Sequence, residues 1–313
     1  MEGLEINIKM FSGALENKDF RIDSQFYTQE PYKNSELVYD KIGNLILNAQ
    51  YGISISMNED GVGYPIYRMN EIHNMLCDID VSKTAEITKS ELKTFRLNER
   101  DVVFNRTNSF EWVGRTGLYR KLDDRDFVFA SYLVRFIPDE KYLLPEYLTA
   151  FLNSKFGVND IKRRARQSIN QTNVNPEEVK AIEIPKLSLR FQNELKNCFD
   201  IGYKNNVESK SLYSKAENFL LQEIGLSDFE PSKRAVNVKS FSESFGTTGR
   251  LDAEFYQKKY ESIENVILNY KNGYTYINRE FEHITKKSDK DKNGYNYIEI
   301  GDVNVSDGIC SSN

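Results

Sequence analysis

The part of this 313-residue chain richest in side chains that could grip or read a ligand is Asp101-Val102-Val103-Phe104-Asn105-Arg106-Thr107-Asn108-Ser109, followed by Val113-Gly114-Arg115-Thr116-Gly117. An apolar strand delivers a loop made almost wholly of hydrogen-bonding groups. Among them are an Asn and an Arg, the types that pair two bonds at once with adenine and guanine edges. The same Asn, Thr and Ser also close turns through their own backbone, and that reading stands beside the first. A second stretch, Lys162-Arg163-Arg164-Ala165-Arg166-Gln167-Ser168-Ile169-Asn170-Gln171, sets four cations beside amides and a hydroxyl. Phosphate oxygens are natural partners for the charges, with the amides left to bases or backbone. A solvated basic helix face is the plainer alternative.

Two kinds of element must hold these stretches. From about residue 37 to 136, short apolar runs such as Leu45-Ile46-Leu47, Tyr64-Pro65-Ile66-Tyr67, Val102-Val103-Phe104 and Phe127-Val128-Phe129 alternate with Gly, Asn and Asp. They predict strands of a mostly antiparallel sheet or small barrel. Then the period changes. Pro145 opens a helix in which Tyr147, Leu148, Phe151 and Leu152 share a face, with Gly157 as its stop. A second helix is expected over 161–166, a capping box at Asn175-Pro176-Glu177-Glu178 opens a short one, and Ile182-Glu183-Ile184-Pro185 reads as a closing strand. From Ser188 as cap to about residue 224 the spacing predicts a long helix with Phe191, Leu195, Phe199, Leu212, Phe219 and Leu220 on it. Some 35 residues would run about 50 Å, too long to bury its stripe within one small domain, so it wants a partner helix.

The chain also begins again. Ile6-Asn7-Ile8-Lys9-Met10-Phe11-Ser12 and Arg21-Ile22-Asp23-Ser24-Gln25-Phe26-Tyr27 return about 230 residues later as Val236-Asn237-Val238-Lys239-Ser240-Phe241-Ser242 and Arg250-Leu251-Asp252-Ala253-Glu254-Phe255-Tyr256. A third block pairs 63–72 with 294–303, setting Tyr64 and Arg68 against Tyr295 and Glu299. Three blocks in register mean a duplicated domain rather than a short solenoid repeat. The expected layout is a first domain over 1–187, a long spacer helix over 188–225, a linker over 226–249 and the start of a second domain over 250–313.

Composition bounds the function. A net charge of -5 with 28% charged residues argues against coating nucleic acid non-specifically, so any nucleic-acid face must be local. Three cysteines without CxxC spacing fit a reducing cytoplasm, and His73 and His283 are too isolated for a metal cluster. No targeting stretch or membrane span is expected, and no cofactor or metal site. A base methyltransferase would need a glycine-rich cofactor turn and an Asn-Pro-Pro-aromatic run; Asn175-Pro176-Glu177 lacks the second proline and the aromatic. Asp123-Asp124 with Asp126, and Asp78 with Asp80, read as loops rather than a nuclease centre.

Taken in order, Phe104-Asn105-Arg106-Thr107-Asn108-Ser109, Val113-Gly114-Arg115-Thr116-Gly117, Ala130-Ser131-Tyr132-Leu133, Pro145-Glu146-Tyr147-Leu148, Ser168-Ile169-Asn170-Gln171 and Ile182-Glu183-Ile184-Pro185 resemble the target recognition domain of type I restriction-modification specificity subunits. The resemblance runs from about residue 37 to 225. It implies an α+β fold: a recognition domain with flanking helices, a coiled-coil-type spacer helix and an incomplete second recognition domain. It also implies a non-catalytic, cytoplasmic subunit. Such a subunit reads the halves of a split site in double-stranded DNA for methyltransferase (modification) subunits and a translocating restriction subunit. Carried over by position, it places Asn105, Arg106, Thr107 and Asn108 in one motif loop and Ser168, Asn170 and Gln171 in another. Arg106, Arg163, Arg164 and Arg166 are then expected along phosphates, with Asn108, Asn170 and Gln171 at base edges. Arg115, Lys162, Tyr64 and Arg68 are further DNA-binding candidates. This reading requires Arg106 and Arg164 to be exposed on one face. Because the second copy stops early, it leaves a fragment of a longer subunit, or a half-subunit that homodimerises through its spacer helix or competes for modification partners.

Overall fold

Val102, Val103 and Phe104 sit at zero exposure in the strand Val102–Asn105, at the centre of a six-stranded sheet. Alternate residues of a strand face opposite sides, and this strand feeds two cores. Val102 and Phe104 pack with Val134, Phe136, Leu148 and Leu152 on the helical side, while Val103 joins Tyr67, Phe129 and Leu133 on the other. An unbroken apolar run is what a strand covered on both faces needs. The computed structural model describes residues 7–15, 21–29, 31–169, 171–285 and Ile298. Asn170, Tyr295, Glu299 and Cys310 lie outside the described residues.

The sheet order is Ile46–Tyr51, Leu133–Pro138, Val102–Asn105, Thr116–Leu118, Leu76–Cys77, Ile72–His73. Its pairs are antiparallel except that between Leu76–Cys77 and Thr116–Leu118. Tyr64–Tyr67 lies between Val128–Phe129 and Thr84–Ala85 in a separate three-stranded sheet, and Tyr39–Lys41 pairs with Glu183–Pro185. The fold is mixed helix and sheet, as expected. Among the described residues the sheets stay open, so the barrel alternative is set aside.

Helices cover one face of the large sheet. Pro145–Asn153 starts on its proline and buries Tyr147, Leu148 and Leu152. It ends before Gly157, which was expected to be its stop. Ser154 instead caps a new helix, Lys155–Arg164, with its hydroxyl accepting from the Gly157 amide at 3.2 Å. Gly157 is there for closeness: a Cβ would stand 2.1 Å from the Phe151 carbonyl oxygen. The long helix spans Leu189–Glu223, 35 residues. Its first turn is locked by buried Gln192, which accepts from the Leu144 amide at 2.8 Å and donates to the Tyr142 and Leu187 carbonyls at 3.0 and 2.9 Å. Leu195, Phe199 and Tyr203 pack on the helical-side core. No helix among the described residues is long and apolar enough to cross a membrane.

The chain divides into two compact units, Met1–Asn205 and Asn206–Asn313, with the division inside the long helix. In the second unit, Ser244 is the only buried side chain among the described residues. The duplication nonetheless reaches the side chains. Arg21 grips Asp23 through Nε and Nη2 at 2.8 and 2.9 Å, and Arg250 grips Asp252 through the same atoms at 2.7 and 2.5 Å. Tyr27 donates its hydroxyl to the Arg21 carbonyl at 2.8 Å, and Tyr256 to the Arg250 carbonyl at 3.2 Å. Asn7 and Asn237 each donate to the carbonyl of the matching tyrosine.

Candidate nucleic-acid interface

The two polar stretches, some 60 residues apart in sequence, meet in one small sheet. After Arg106 the chain leaves the large sheet, and Thr107–Asn108 pairs with Thr172–Asn173, which pairs in turn with Arg166–Gln167. Thr107 stands opposite Asn173 and Asn108 opposite Thr172. The Thr107 hydroxyl donates to Asn173 Oδ1 at 2.6 Å, and the Val174 amide donates to the Arg106 carbonyl at 2.9 Å. The result is a short ribbon ending in a turn, closed where the Ser168 amide and hydroxyl both donate to the Gln171 carbonyl, at 2.8 and 3.0 Å. Arg166, Gln167, Ser168, Ile169 and Gln171 are all exposed, Ile169 to 99%.

Beside the ribbon lies the loop 109–115, held rigidly from beneath. Asn105 is fully buried and donates to the Met69 and Trp112 carbonyls, while its backbone exchanges bonds with Arg115 and Gly114 at 2.8 Å each. Its Oδ1 is buried with no partner among the described residues. Gly114 adopts φ +93°, a left-handed conformation that glycine takes without strain, and a Cβ there would meet Ile161 at 2.6 Å. Lys162 staples the loop by donating its ammonium to the carbonyls of Glu111 and Val113, both at 2.9 Å, and of Phe110. Burial pulls the Lys162 pKa down to about 8, with Glu111 opposing that shift and Arg115 adding to it. On the outer side, the Arg115 guanidinium lies 3.4 Å from the centroid of Trp112, and burial lowers its pKa. Phe110 and Trp112 are each about two-fifths exposed.

The remaining candidates divide. Arg106 is half-buried, 5.1 Å from the Tyr51 ring centroid and donating to the Ser131 carbonyl at 3.4 Å. Arg163 and Arg164 were expected along phosphates; they are instead 7% and 8% exposed, so the requirement that Arg106 and Arg164 share an exposed face fails, and a DNA-facing surface has to rest on the ribbon and the loop 109–115 without them. The helix turns both onto Asp160, which accepts from Arg163 at 2.8 Å and Arg164 at 3.0 Å, and Glu178 takes Arg164 at 2.8 Å. With Nε and Nη1 of both turned onto Asp160, Glu178 and the Phe26 carbonyl, they serve the interior rather than a phosphate. Asn105, Thr107 and Lys162 likewise hold the scaffold in place. Tyr64 is half-buried in its strand, and Arg68 pairs with Glu71. Exposed or part-exposed on the ribbon and loop are Asn108, Arg115, Arg166, Ser168 and Gln171. Sequence reasoning passed over Phe110, Trp112 and the tip position of Ile169. The chain's one tryptophan beside a polar motif was the available signal for the first two. Among the described residues no group of three His, Cys, Asp or Glu could hold a metal.

No protein-family model matches the chain. Its sequence is 25% identical over 179 residues to the protein named type I restriction enzyme MjaX specificity subunit of Methanocaldococcus jannaschii, covering 55% of this chain and 42% of that one. It is 28% identical over 158 residues to the type I restriction enzyme EcoKI specificity subunit of Escherichia coli, covering 49% and 34%. The match thus spans less than half the length of these curated relatives. Among solved structures, the type I restriction-modification S subunit of M. genitalium aligns at TM-score 0.41 and 12% identity over 62% of this chain and 48% of that one. The HsdS subunit of Thermoanaerobacter tengcongensis aligns at 0.35 and 11% over 56% and 39%. Scores this low leave the assignment to sequence. By sequence, then, the chain is similar over about half its length to the specificity subunits of type I restriction-modification systems.

Proposed function

We propose that residues 37–187 are a DNA-reading head and that the chain is a non-catalytic specificity subunit, directing modification and restriction subunits to a site in double-stranded DNA. One observation carries the reading: the register Thr107 to Asn173 and Asn108 to Thr172, which joins the two motif stretches in a single ribbon with an exposed polar tip. Its projecting hairpin, Arg166–Gln167 against Thr172–Asn173, is a two-stranded ribbon of the kind that fits the major groove, where amides pair with adenine edges and arginine with guanine or phosphate. Asn108, Gln167, Ser168 and Gln171 offer the edge contacts, and Arg166 the phosphate or guanine contact. Trp112 and Arg115 form a stacked flank. A net charge of -5 makes sequence-independent affinity weak, so tight binding draws on the partner subunits.

The test is a gel-shift salt series on the complex with modification subunits, using duplexes selected from a random library. Alanine at Gln167 and Gln171 together should lower the specific-to-nonspecific ratio by roughly tenfold or more, as two lost base contacts would. No selectivity for any duplex in the wild-type complex would end the proposal.

A second reading, a half-subunit or interaction module that homodimerises through the long helix, draws support from the exposure of Leu212, Phe219 and Leu220 along it, at 56%, 74% and 58%. Apolar groups spaced on an exposed helix call for a helical partner. Aspartate at Phe219 and Leu220 should abolish concentration-dependent dimers in sedimentation, and a wild-type chain that stays monomeric refutes it.

A further inference from the structure

The tip of the ribbon carries an apolar side chain that neither the turn nor the interior uses. Gln167 pairs with Thr172, and residues 168–171 join them in the turn closed by the bonds from Ser168 to the Gln171 carbonyl. Ile169 is the second residue of that turn. Turns favour Gly, Pro, Asn, Asp and Ser, for backbone freedom, a preset φ or local hydrogen bonds, and a β-branched hydrocarbon supplies none of these. Ile169 nonetheless stands there 99% exposed, the most exposed large apolar side chain among the described residues. The apolar residues at the two feet of the hairpin, Ala165 and Val174, behave differently: both are buried in the helical-side core, and Ile169 enters no core. Around it Arg166, Gln167, Ser168 and Gln171 present polar groups to solvent. Where a residue breaks the local rule of its turn and packs on nothing in the fold, the reason is sought in what the surface meets.

On the reading of this ribbon as the part that enters the major groove, we propose that Ile169 is a specificity-determining residue: its side chain packs on the C5-methyl of a thymine, and the duplex selected by this head carries an A·T pair beneath the tip. Seen from the major groove, base pairs differ in their hydrogen-bonding groups and in one apolar feature, the thymine methyl. An apolar side chain complements that feature. Against the cytosine amino group or the guanine O6 it would strip water from a polar atom and return nothing. Beside the methyl, the same pair shows the adenine N6 and N7, which one amide grips with two bonds, and Gln167 and Gln171 each lie two residues from Ile169. The tip thus holds the chemistry for both halves of an A·T edge.

The test uses the complex with modification subunits and the duplex it selects from a random library. Each thymine in turn is replaced by deoxyuridine, which removes the methyl and keeps every hydrogen bond. At one position the wild type should lose about fourfold in affinity, the worth of one buried methyl-sized group. Ile169→Ser should lose at least as much on the thymine duplex, and the uracil replacement should then cost it nothing further, as a direct contact requires. Ile169→Val should recover the discrimination. Selective binding in which no thymine methyl matters, or a methyl effect that survives Ile169→Ser, overturns the inference and leaves the DNA-reading role standing. A lower melting temperature for Ile169→Ser would assign the side chain to the fold, and weaker assembly with modification subunits in the absence of DNA would assign it to a protein contact; either result overturns it. A wild-type complex that selects no duplex ends the inference and the DNA-reading role together.

Discussion

Arg21 to Tyr27 and Arg250 to Tyr256 form nearly the same side-chain cluster, yet the arginine and phenylalanine are buried in the first and exposed in the second. Their Arg–Asp forks, tyrosine hydroxyl bonds and aromatic edges agree to within a few tenths of an ångström. The difference is Arg163 and Arg164, both paired with Asp160, whose guanidinium groups lie over Phe26 and have no counterpart over Phe255 among the described residues. A local motif can thus fix its own geometry without fixing its burial. Its contribution to stability comes from what covers it, since removing apolar area from water outweighs the net gain of a few local hydrogen bonds.

The sharpest way to break this comparison is to truncate both rings. Phe26→Ala should cost about 3–4 kcal/mol in denaturant unfolding of the first unit, as buried Phe deletions do. Phe255→Ala should stay within about 0.5 kcal/mol, as exposed substitutions do. Equal losses would refute the contrast. Next comes Asp160, the carboxylate that pairs with both arginines over Phe26. Asp160→Asn strands two buried guanidinium groups and should cost about 3 kcal/mol. Asp252→Asn, on an exposed fork, should leave the melting curve unmoved.

Two smaller effects concern two half-buried charges, one penalised by burial and one held by hydrogen bonds. The Lys162 pKa of about 8 lies below the ordinary lysine value of 10.5, so between those pH values the unfolded chain holds more protons than the folded one. The sign follows: this group's contribution to stability rises with pH across that window, because raising pH relieves the buried charge. As the ammonium becomes an amine it loses one of three donors to the loop 109–115, so Trp112 emission should shift with a midpoint near pH 8. Lys162→Met should flatten that titration, and an unchanged curve would show that the ammonium does not staple the loop. In the second unit, Glu261 is held down to about 2 by hydrogen bonds from Lys239, Lys258 and Asn237. Its contribution is present above pH 4.5 and falls away as pH drops toward 2. These groups are solvent-facing, so about 1 M salt should erase most of that dependence. Persistence in salt would show the cluster to be sheltered.

What the sequence disclosed follows from which forces are local. The duplication, the proline-started helix, the unbroken Val102-Val103-Phe104 strand and the 35-residue helix all leave periodic or terminal signals in neighbouring residues. Gly157 was misread because a glycine that permits close packing looks the same in sequence as one that ends a helix. Arg163 and Arg164 were misread because charge announces a need for a partner without naming it. Asp160, three and four residues earlier, was the local hint that they were already satisfied. Their other contacts, Arg21 and Phe26, lie about 140 residues away and no spacing rule reaches them. The meeting of the two polar stretches was legible only through the family resemblance. The lysine staple under the loop was not legible at all, since any surface lysine reads alike.

The ribbon's tip has a further consequence. Arg166, Gln167, Ser168, Ile169 and Gln171 reach solvent and enter none of the hydrophobic cores, while Thr172 and Val174 anchor the returning strand in the interior. The tip is therefore an interchangeable cassette. Mutation can rewrite it residue by residue with little thermodynamic penalty, so whatever the tip touches, and not the fold, sets the limit on its sequence.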